Sequence, residues 1–126
     1  MDSFRDRYIA SLNTADVEGA MSLFTQDAVV VSPLYGENPV RNYLERLLVD
    51  SRKAGATCKR SFMSNDGAIA FHLTCRWTFA TGREYVFDRV DLFDGFVDGR
   101  AGRLSLLYDS APFRAEFAWA QANVRG

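Results

Sequence analysis

Apolar positions recur with a helical period in the first half of the chain and with a strand period in the second half. From Ser3 to Asn13, apolar residues return every third or fourth position, which predicts an amphipathic helix. A second short apolar stripe predicts another helix and completes a helical hairpin. A third stripe starts at Val40, directly after the Asn38-Pro39 pair, which is typical of a helix start, and it predicts a helix that frays near Gly55.

Alternation of apolar and polar residues predicts the strands. They are expected over residues 28–32, 57–63, 69–79, 83–94 and 103–109. The strand over 69–79 has the clearest alternation, which indicates one buried and one solvated face. Phe113 and Phe117 in the tail predict a short terminal helix or an ordered flap. Helices followed by strands predict segregated layers, and therefore an α+β protein whose curved antiparallel sheet wraps three helices of the N-terminal half into a cone.

Composition restricts the function classes. The 126 residues, 48% of them hydrophobic, suffice for one domain over 1–126 with a core that needs no disulfide or metal. The net charge of -1 is scattered, so neither nucleic acid nor an anionic membrane is an expected partner. Cys58 and Cys75 lack disulfide or metal-site spacing, which predicts free thiols in a reducing cytoplasm.

The strand over 83–94 places charges within an aromatic row. One of its faces carries Tyr85, Phe87, Arg89, Asp91 and Phe93. Charges among aromatic side chains cost free energy unless they are paired or used. Because a neighbouring arginine favours the charged form of a carboxyl group, we expect Asp91 to be a carboxylate. The pair is open to two interpretations, a functional site or a structural ion pair on a partly wet face.

Several motifs resemble one superfamily over nearly the whole chain. The segments RYIASLN at 7–13 and LFTQDAV at 23–29 resemble the opening of nuclear transport factor 2-like proteins, which include ketosteroid isomerases and SnoaL-like polyketide cyclases. The likeness continues in SPLYG at 32–36, VDLF at 90–93, GRL at 102–104 and YD at 108–109. The resemblance implies a cystatin-like α+β roll and a homodimer through the outer sheet face, where His72, Thr74 and Arg76 are expected.

The same resemblance suggests roles for individual residues. Tyr8 matches the tyrosine, and Asp91 the late-strand acid, that contact the oxyanion in ketosteroid isomerases. Ser32 occupies the position of the proton-accepting aspartate, and a serine hydroxyl is too weakly basic for that role, so steroid isomerisation is not expected. Asp109 resembles the catalytic aspartate of SnoaL-like cyclases and limonene epoxide hydrolases, and we expect it to converge with Arg89 and Asp91.

The expected function is acid–base proton transfer on an apolar cyclic or polyketide-like molecule, without a metal or cofactor. The expected catalytic residues are Tyr8, Arg89, Asp91 and Asp109. The expected substrate contacts are Ser32, Tyr35, Phe87, Phe93 and Trp77. Two other functions stay open: a binding or association module that has the pocket without the chemistry, and an epoxide hydrolase. Structural roles also stay open, Tyr8 as a core tyrosine and Asp109 as a cap where a strand ends.

Overall fold

The computed structural model describes residues 2–123 and confirms the α+β class. The helices are α1 (Asp2–Thr14), α2 (Val17–Met21), α3 (Val40–Asp50) and α4 (Arg114–Asn123), the last preceded by a 3₁₀ turn at Ala111–Phe113. The strands are β1 (Phe24–Ser32), β2 (Gly36–Pro39), β3 (Ser51–Met63), β4 (Ile69–Phe79), β5 (Glu84–Asp94) and β6 (Ala101–Leu107). None of the helices in this part of the chain combines the length and apolar character that a bilayer crossing requires.

All six strands join one sheet in the order β2-β1-β6-β5-β4-β3. Neighbouring strands run antiparallel except β1 and β6, which pair in parallel. The parallel pair departs from the expected all-antiparallel sheet. It arises because β1 and β6 are separated in sequence by a helix and three long strands rather than by a hairpin. It places the first and last strands of the chain together in the middle of the sheet.

Several boundaries differ from the predicted ones, among them the starts of α3 and β3. The Asn38-Pro39 pair ends the short strand β2, and α3 begins only at Val40 with Pro39 in extended geometry before it. β3 begins at Ser51, six residues before its predicted start, because its pairing with β4 continues through Gly55. The first residues of β3 lack alternation in burial, so the period-two pattern that marks a strand is missing there.

The core is dominated by aromatic side chains in two groups. Near α1, the ring of Phe93 packs against Phe4 and Tyr8 at centroid distances of 5.0 and 4.8 Å. Near the C-terminus, Phe113 is 1% exposed and packs against Trp77 and other rings of β4 and β5. The tail is therefore a helix that covers the sheet, which agrees with the prediction of an ordered end.

Candidate functional site

A buried ion pair on β5 lies at the centre of the candidate site. Arg89 Nε donates a hydrogen bond to Asp91 Oδ1 at 2.6 Å, and Arg89 Nη2 donates to Oδ2 at 2.9 Å. The Asp91 side chain is 0% exposed and that of Arg89 is 12% exposed. The strand period places both side chains on the concave face, as predicted, and two parallel bonds from one guanidinium hold the carboxylate rigidly.

Tyr8 completes this arrangement from α1. Its hydroxyl donates to Asp91 Oδ2 at 2.5 Å, so the carboxylate accepts three hydrogen bonds on two oxygens. Residue 8 reaches β5 because it lies on the inward stripe of α1, where Phe71 and Phe93 contact its ring. The group formed by Tyr8, Arg89 and Asp91 is called the buried triad below.

The electrostatics of the buried triad agree with a charged pair and a neutral phenol. Burial lowers the pKa of Arg89, but Asp91 together with the weaker contributions of Cys75, Tyr8 and Tyr43 more than offsets this, and the pKa lies well above its usual value. Burial and the same carboxylate raise the pKa of Tyr8 well above the usual value of a phenol. Tyr8 therefore keeps its proton throughout the physiological pH range and donates a hydrogen bond to Asp91.

Arg89 also borders a small internal cavity of about 30 Å³. Its lining consists of Leu12, Tyr35, Tyr43, Leu47, Ala54, Gly55, Cys75, Arg76, Trp77, Arg89 and Tyr108. Burial raises the pKa of Tyr43, Cys75 and Tyr108, whereas the positive charge of Arg89 acts on each of these groups in the opposite direction. The net direction is upward, so these phenols and this thiol stay neutral, and Arg89 reduces but does not cancel the cost of negative charge in this cavity, called the Arg89 cavity below.

Ser32 and Tyr35 have structural partners near this cavity. Ser32 Oγ accepts hydrogen bonds from the backbone N–H groups of Leu34 and Tyr35 at 3.2 and 3.3 Å, which holds the turn between β1 and β2. The Tyr35 hydroxyl donates to Asp50 Oδ2 at 2.5 Å. Tyr35 lines the cavity, while Ser32 is buried behind it and lowers the pKa of the Tyr108 phenol through a hydrogen bond.

Asp109 lies apart from the buried triad. Its side chain is exposed, and Oδ1 accepts a hydrogen bond from the Ala111 N–H at 3.0 Å, where the 3₁₀ turn begins. It is not among the residues that line the Arg89 cavity in the described part of the chain. The structure therefore brings together Tyr8, Arg89 and Asp91 but not the fourth expected member of the site.

The expected aromatic contacts lie in different surroundings. Trp77 lines the Arg89 cavity and donates its indole N–H to Ser51 Oγ at 2.5 Å. Phe87 is half-buried and packs against the rings of Tyr108 and Phe113. Phe93 is 0% exposed and belongs to the core beneath α1. Of these three aromatic residues, Trp77 is the one placed to contact a ligand.

Sequence reasoning missed Tyr43 and Tyr108, which line the cavity, and the buried carboxylate of Asp50. Tyr43 lies on the apolar stripe of α3, where a tyrosine has the same period as a leucine and gives no separate signal. Tyr108 falls within the strand predicted over 103–109, but β6 ends at Leu107, so the strand period does not give the direction of its side chain. Asp50 ends α3, where a carboxylate usually faces solvent, and its burial becomes apparent only from its contact with Tyr35.

The cavity has one feature that decides its chemistry. Within residues 2–123, neither an aspartate nor a glutamate is part of its lining, which provides a guanidinium, three phenols and a thiol. The Asp91 carboxylate stands behind Arg89 and is occupied by three donors. This arrangement can stabilise an anionic oxygen and donate hydrogen bonds to it, but it presents no carboxylate that could accept a proton from a ligand.

Known structures share this fold at low sequence identity. The crystal structure of TerC co-crystallized with polyporic acid has a TM-score of 0.79 and 18% identity, and the match covers 93% of this chain and 97% of TerC. A putative polyketide cyclase from Silicibacter sp. has a TM-score of 0.78 and 16% identity, and the match covers 90% of this chain and 92% of the cyclase. A third structure is a hypothetical protein from Catenulispora acidiphila with a ketosteroid isomerase-like fold, in complex with trimethylamine. It has a TM-score of 0.74 and 10% identity, and the match covers 84% of this chain and 85% of that protein.

Sequence comparison identifies the family. No curated protein matches the chain significantly. The model of the SnoaL-like domain matches residues 6–103, which include most of α1, most of the sheet and the buried triad. The match confirms the resemblance to nuclear transport factor 2-like proteins, and the chain belongs to the SnoaL-like domain family.

Proposed function

We propose that this protein binds a small, mostly apolar molecule that carries an enolisable carbonyl group, and that it promotes proton transfer at the carbon next to that group. In the proposed step, a C–H bond next to a carbonyl group breaks and its electron pair moves toward the oxygen. Hydroxide from the solvent takes the proton and becomes water, and Arg89 stabilises the resulting enolate. Return of the proton at another carbon gives an isomerase-type reaction, and attack by the enolate carbon on a second carbonyl group gives a cyclase-type reaction.

The members of the buried triad have different roles in this proposal. Arg89 touches the substrate oxygen, since it is the member that lines the cavity. Asp91 and Tyr8 are positioning residues, because Asp91 accepts the guanidinium hydrogen bonds at 2.6 and 2.9 Å and Tyr8 in turn donates to Asp91 at 2.5 Å. Tyr43 and Tyr108 are the additional hydrogen-bond donors to the substrate.

One observation supports this proposal more than any other: Arg89 is both locked by a buried carboxylate and part of the cavity lining. A cation that is fixed before the ligand arrives costs no reorganisation when negative charge develops, and this is the basis of electrostatic catalysis. The names of two similar structures, a TerC complex with polyporic acid and a putative polyketide cyclase, support an acidic or polyketide-like substrate class.

A second candidate function is binding without catalysis. It is favoured by the lack of an acidic side chain in the cavity lining within residues 2–123. Asp109 does not supply the missing base in this structure, because it is exposed and caps the turn before α4. For the same reason we do not propose the epoxide hydrolase activity, which would need Asp109 to activate water.

The experiment that separates the two functions uses 2-tetralone, a bicyclic ketone with exchangeable C–H groups next to its carbonyl. Proton NMR in D₂O measures the rate at which these hydrogens are replaced by deuterium. Wild-type protein is expected to accelerate the exchange, and the double variant R89M/D91L is expected to lose the acceleration. The double variant removes both charges, because a buried ion pair is often replaced by apolar residues without loss of stability. Binding of the ketone without faster exchange would support the binding module instead.

We also propose a homodimer through the outer face of β5 and β6. Val86 and Leu107 are 56% and 54% exposed on that face, and Val90 pairs with Leu107 across the two strands. Apolar residues exposed together on one sheet face favour association with a second copy.

The free thiols of Cys58 and Cys75 support the proposal of a reducing, cytoplasmic environment.

A further inference from the structure

A second space opens beside the Arg89 cavity, between the helical hairpin, α3 and the start of β3. Its volume is about 80 Å³, and most of its lining is apolar, including Val17, Leu44 and Leu48. It is called the outer groove below. Unlike the Arg89 cavity, it has a charged rim, because Arg52 and Lys53 line it from β3.

The outer groove and the Arg89 cavity share a wall. Leu12, Leu47 and Ala54 line both spaces. Leu12 and Leu47 are half-buried, so their side chains are not fixed as tightly as those of the core. The two spaces are therefore neighbours separated only by apolar side chains from α1, α3 and β3.

The charge of the rim favours an anion. Arg52 and Lys53 are exposed, and Arg52 Nε donates to the Ala80 carbonyl at 3.1 Å, which fixes the position of its guanidinium. The groove has one acidic member, Asp16, whose Oδ1 already accepts the Gly19 N–H at 2.9 Å as the cap of α2. The lining thus includes two cations and a single carboxylate, which has a partner of its own.

The volume of the Arg89 cavity limits how much of a ligand it can hold. A cavity of about 30 Å³ holds one or two water molecules, so a cyclic substrate whose oxygen reaches Arg89 must extend through the shared wall into the groove. We propose that the outer groove binds the distal part of the ligand, and that this ligand is an elongated, apolar molecule with a carboxylate at its outer end. Arg52 and Lys53 bind the carboxylate, and Leu12 and Leu47 contact the apolar middle. The inner contact rests on the proposed function, whereas the outer contact does not.

Two rigid probes test the outer contact. 6-Hydroxy-2-naphthoic acid carries a phenol at one end and a carboxylate at the other, and 2-naphthol lacks the carboxylate. Isothermal titration calorimetry measures the affinity of each for wild type and for the double variant R52Q/K53Q. Wild type is expected to bind the acid more tightly than 2-naphthol. The variant is expected to weaken acid binding by about fivefold, since each exposed ion pair contributes ~0.5 kcal/mol, and to leave 2-naphthol unchanged.

The matched control K59Q/R100Q removes two exposed cations that do not line the groove, and it is expected to leave both affinities unchanged. Equal affinity of wild type for the two probes, or failure to bind either, would overturn the proposal. So would an equal loss for both probes in R52Q/K53Q, because that pattern indicates a structural effect. If R89M/D91L binds the acid as wild type does while R52Q/K53Q does not, the outer contact stands and the proposed role of Arg89 fails.

Discussion

Asp91 is the residue whose proposed role differs most between the expectation from the sequence and the structure. It lies beside Arg89 on the inward face of β5, as the strand period predicts. Its proposed role has changed from acid–base catalyst to positioning residue, because the structure places it behind Arg89 with three donors on its oxygens. The distinction matters because a positioning residue affects stability as well as activity.

The substitution D91N is expected to reduce the free energy of unfolding by about 3–5 kcal/mol, because it leaves the buried guanidinium of Arg89 without a charged partner. Denaturant unfolding followed by circular dichroism measures this change. The matched control is D109N, which keeps an oxygen that can accept the Ala111 N–H and is expected to change stability by less than about 0.5 kcal/mol. Equal effects of the two substitutions would contradict the buried triad as described.

Tyrosine ionisation provides a second test at the residue scale. Burial raises the pKa of Tyr8, Tyr43 and Tyr108 in the folded protein. Unfolded tyrosines lose their protons near pH 10, whereas these phenols keep theirs, so above that pH the folded state binds more protons than the unfolded state. Stability is therefore complete below about pH 10 and is lost as the pH rises further.

Tyr8, Tyr43 and Tyr108 are therefore expected to ionise only when the protein unfolds in alkali. Absorbance at the phenolate band and circular dichroism are expected to change together above pH 10. Y43F is expected to move the alkaline midpoint to higher pH, since it removes one of the groups whose ionisation drives unfolding. Gradual ionisation of all tyrosines below the unfolding transition would show that these phenols are accessible to solvent.

At the scale of elements, α4 acts as a cover over the aromatic end of the sheet. Phe113 contacts rings of β4, β5 and Tyr108, and Phe117 adds a contact with Tyr35 at 5.0 Å. The sequence predicted an ordered tail but not its contacts, because two aromatic residues among alanines show that a segment is apolar and not what it packs against. The tail thus borders the same side chains that line the Arg89 cavity.

The substitution F113A is expected to reduce the free energy of unfolding by about 3–5 kcal/mol, the usual cost of emptying the site of a buried phenylalanine. W119A is the matched control on the same tail, because Trp119 is 55% exposed, and it is expected to change stability by about 0.5 kcal/mol or less. Thermal unfolding followed by calorimetry distinguishes the two. Similar midpoints for both variants would mean that the 3₁₀ turn before α4 is not packed on the sheet.

At the scale of the whole molecule, the sequence contained most of the fold and part of the site. Periods along α1 and β5 suffice to place Tyr8, Arg89 and Asp91 on inward faces, and the motifs point to the family. The convergence of Asp109 could not be judged in this way, since residue 109 follows a strand and its direction depends on the turn that begins at Ala111. Side chains from several elements form the Arg89 cavity, and the hydrophobic pattern within a single segment of the sequence cannot predict a cavity of this kind.

The proposed homodimer also concerns the whole molecule. The double substitution V86E/L107E places charges on the outer face of β5 and β6 and is expected to convert a dimer into a monomer, as measured by sedimentation equilibrium. V97E is the matched control, since Val97 is 60% exposed outside the named strands and is expected to leave the mass unchanged. A wild-type protein that sediments as a monomer would contradict the proposed interface.

The central claim is that Arg89, fixed by Asp91 and Tyr8, stabilises an anionic oxygen inside the cavity. The most direct measurement is the pKa of bound 4-nitrophenol, obtained from its absorbance in a pH titration at saturating protein. An arginine in contact with the phenol oxygen is expected to lower the pKa of the ligand by about 1 unit or more relative to free 4-nitrophenol, and R89M/D91L is expected to abolish this shift. A bound ligand whose pKa is unchanged or raised in the wild-type protein would contradict the claim.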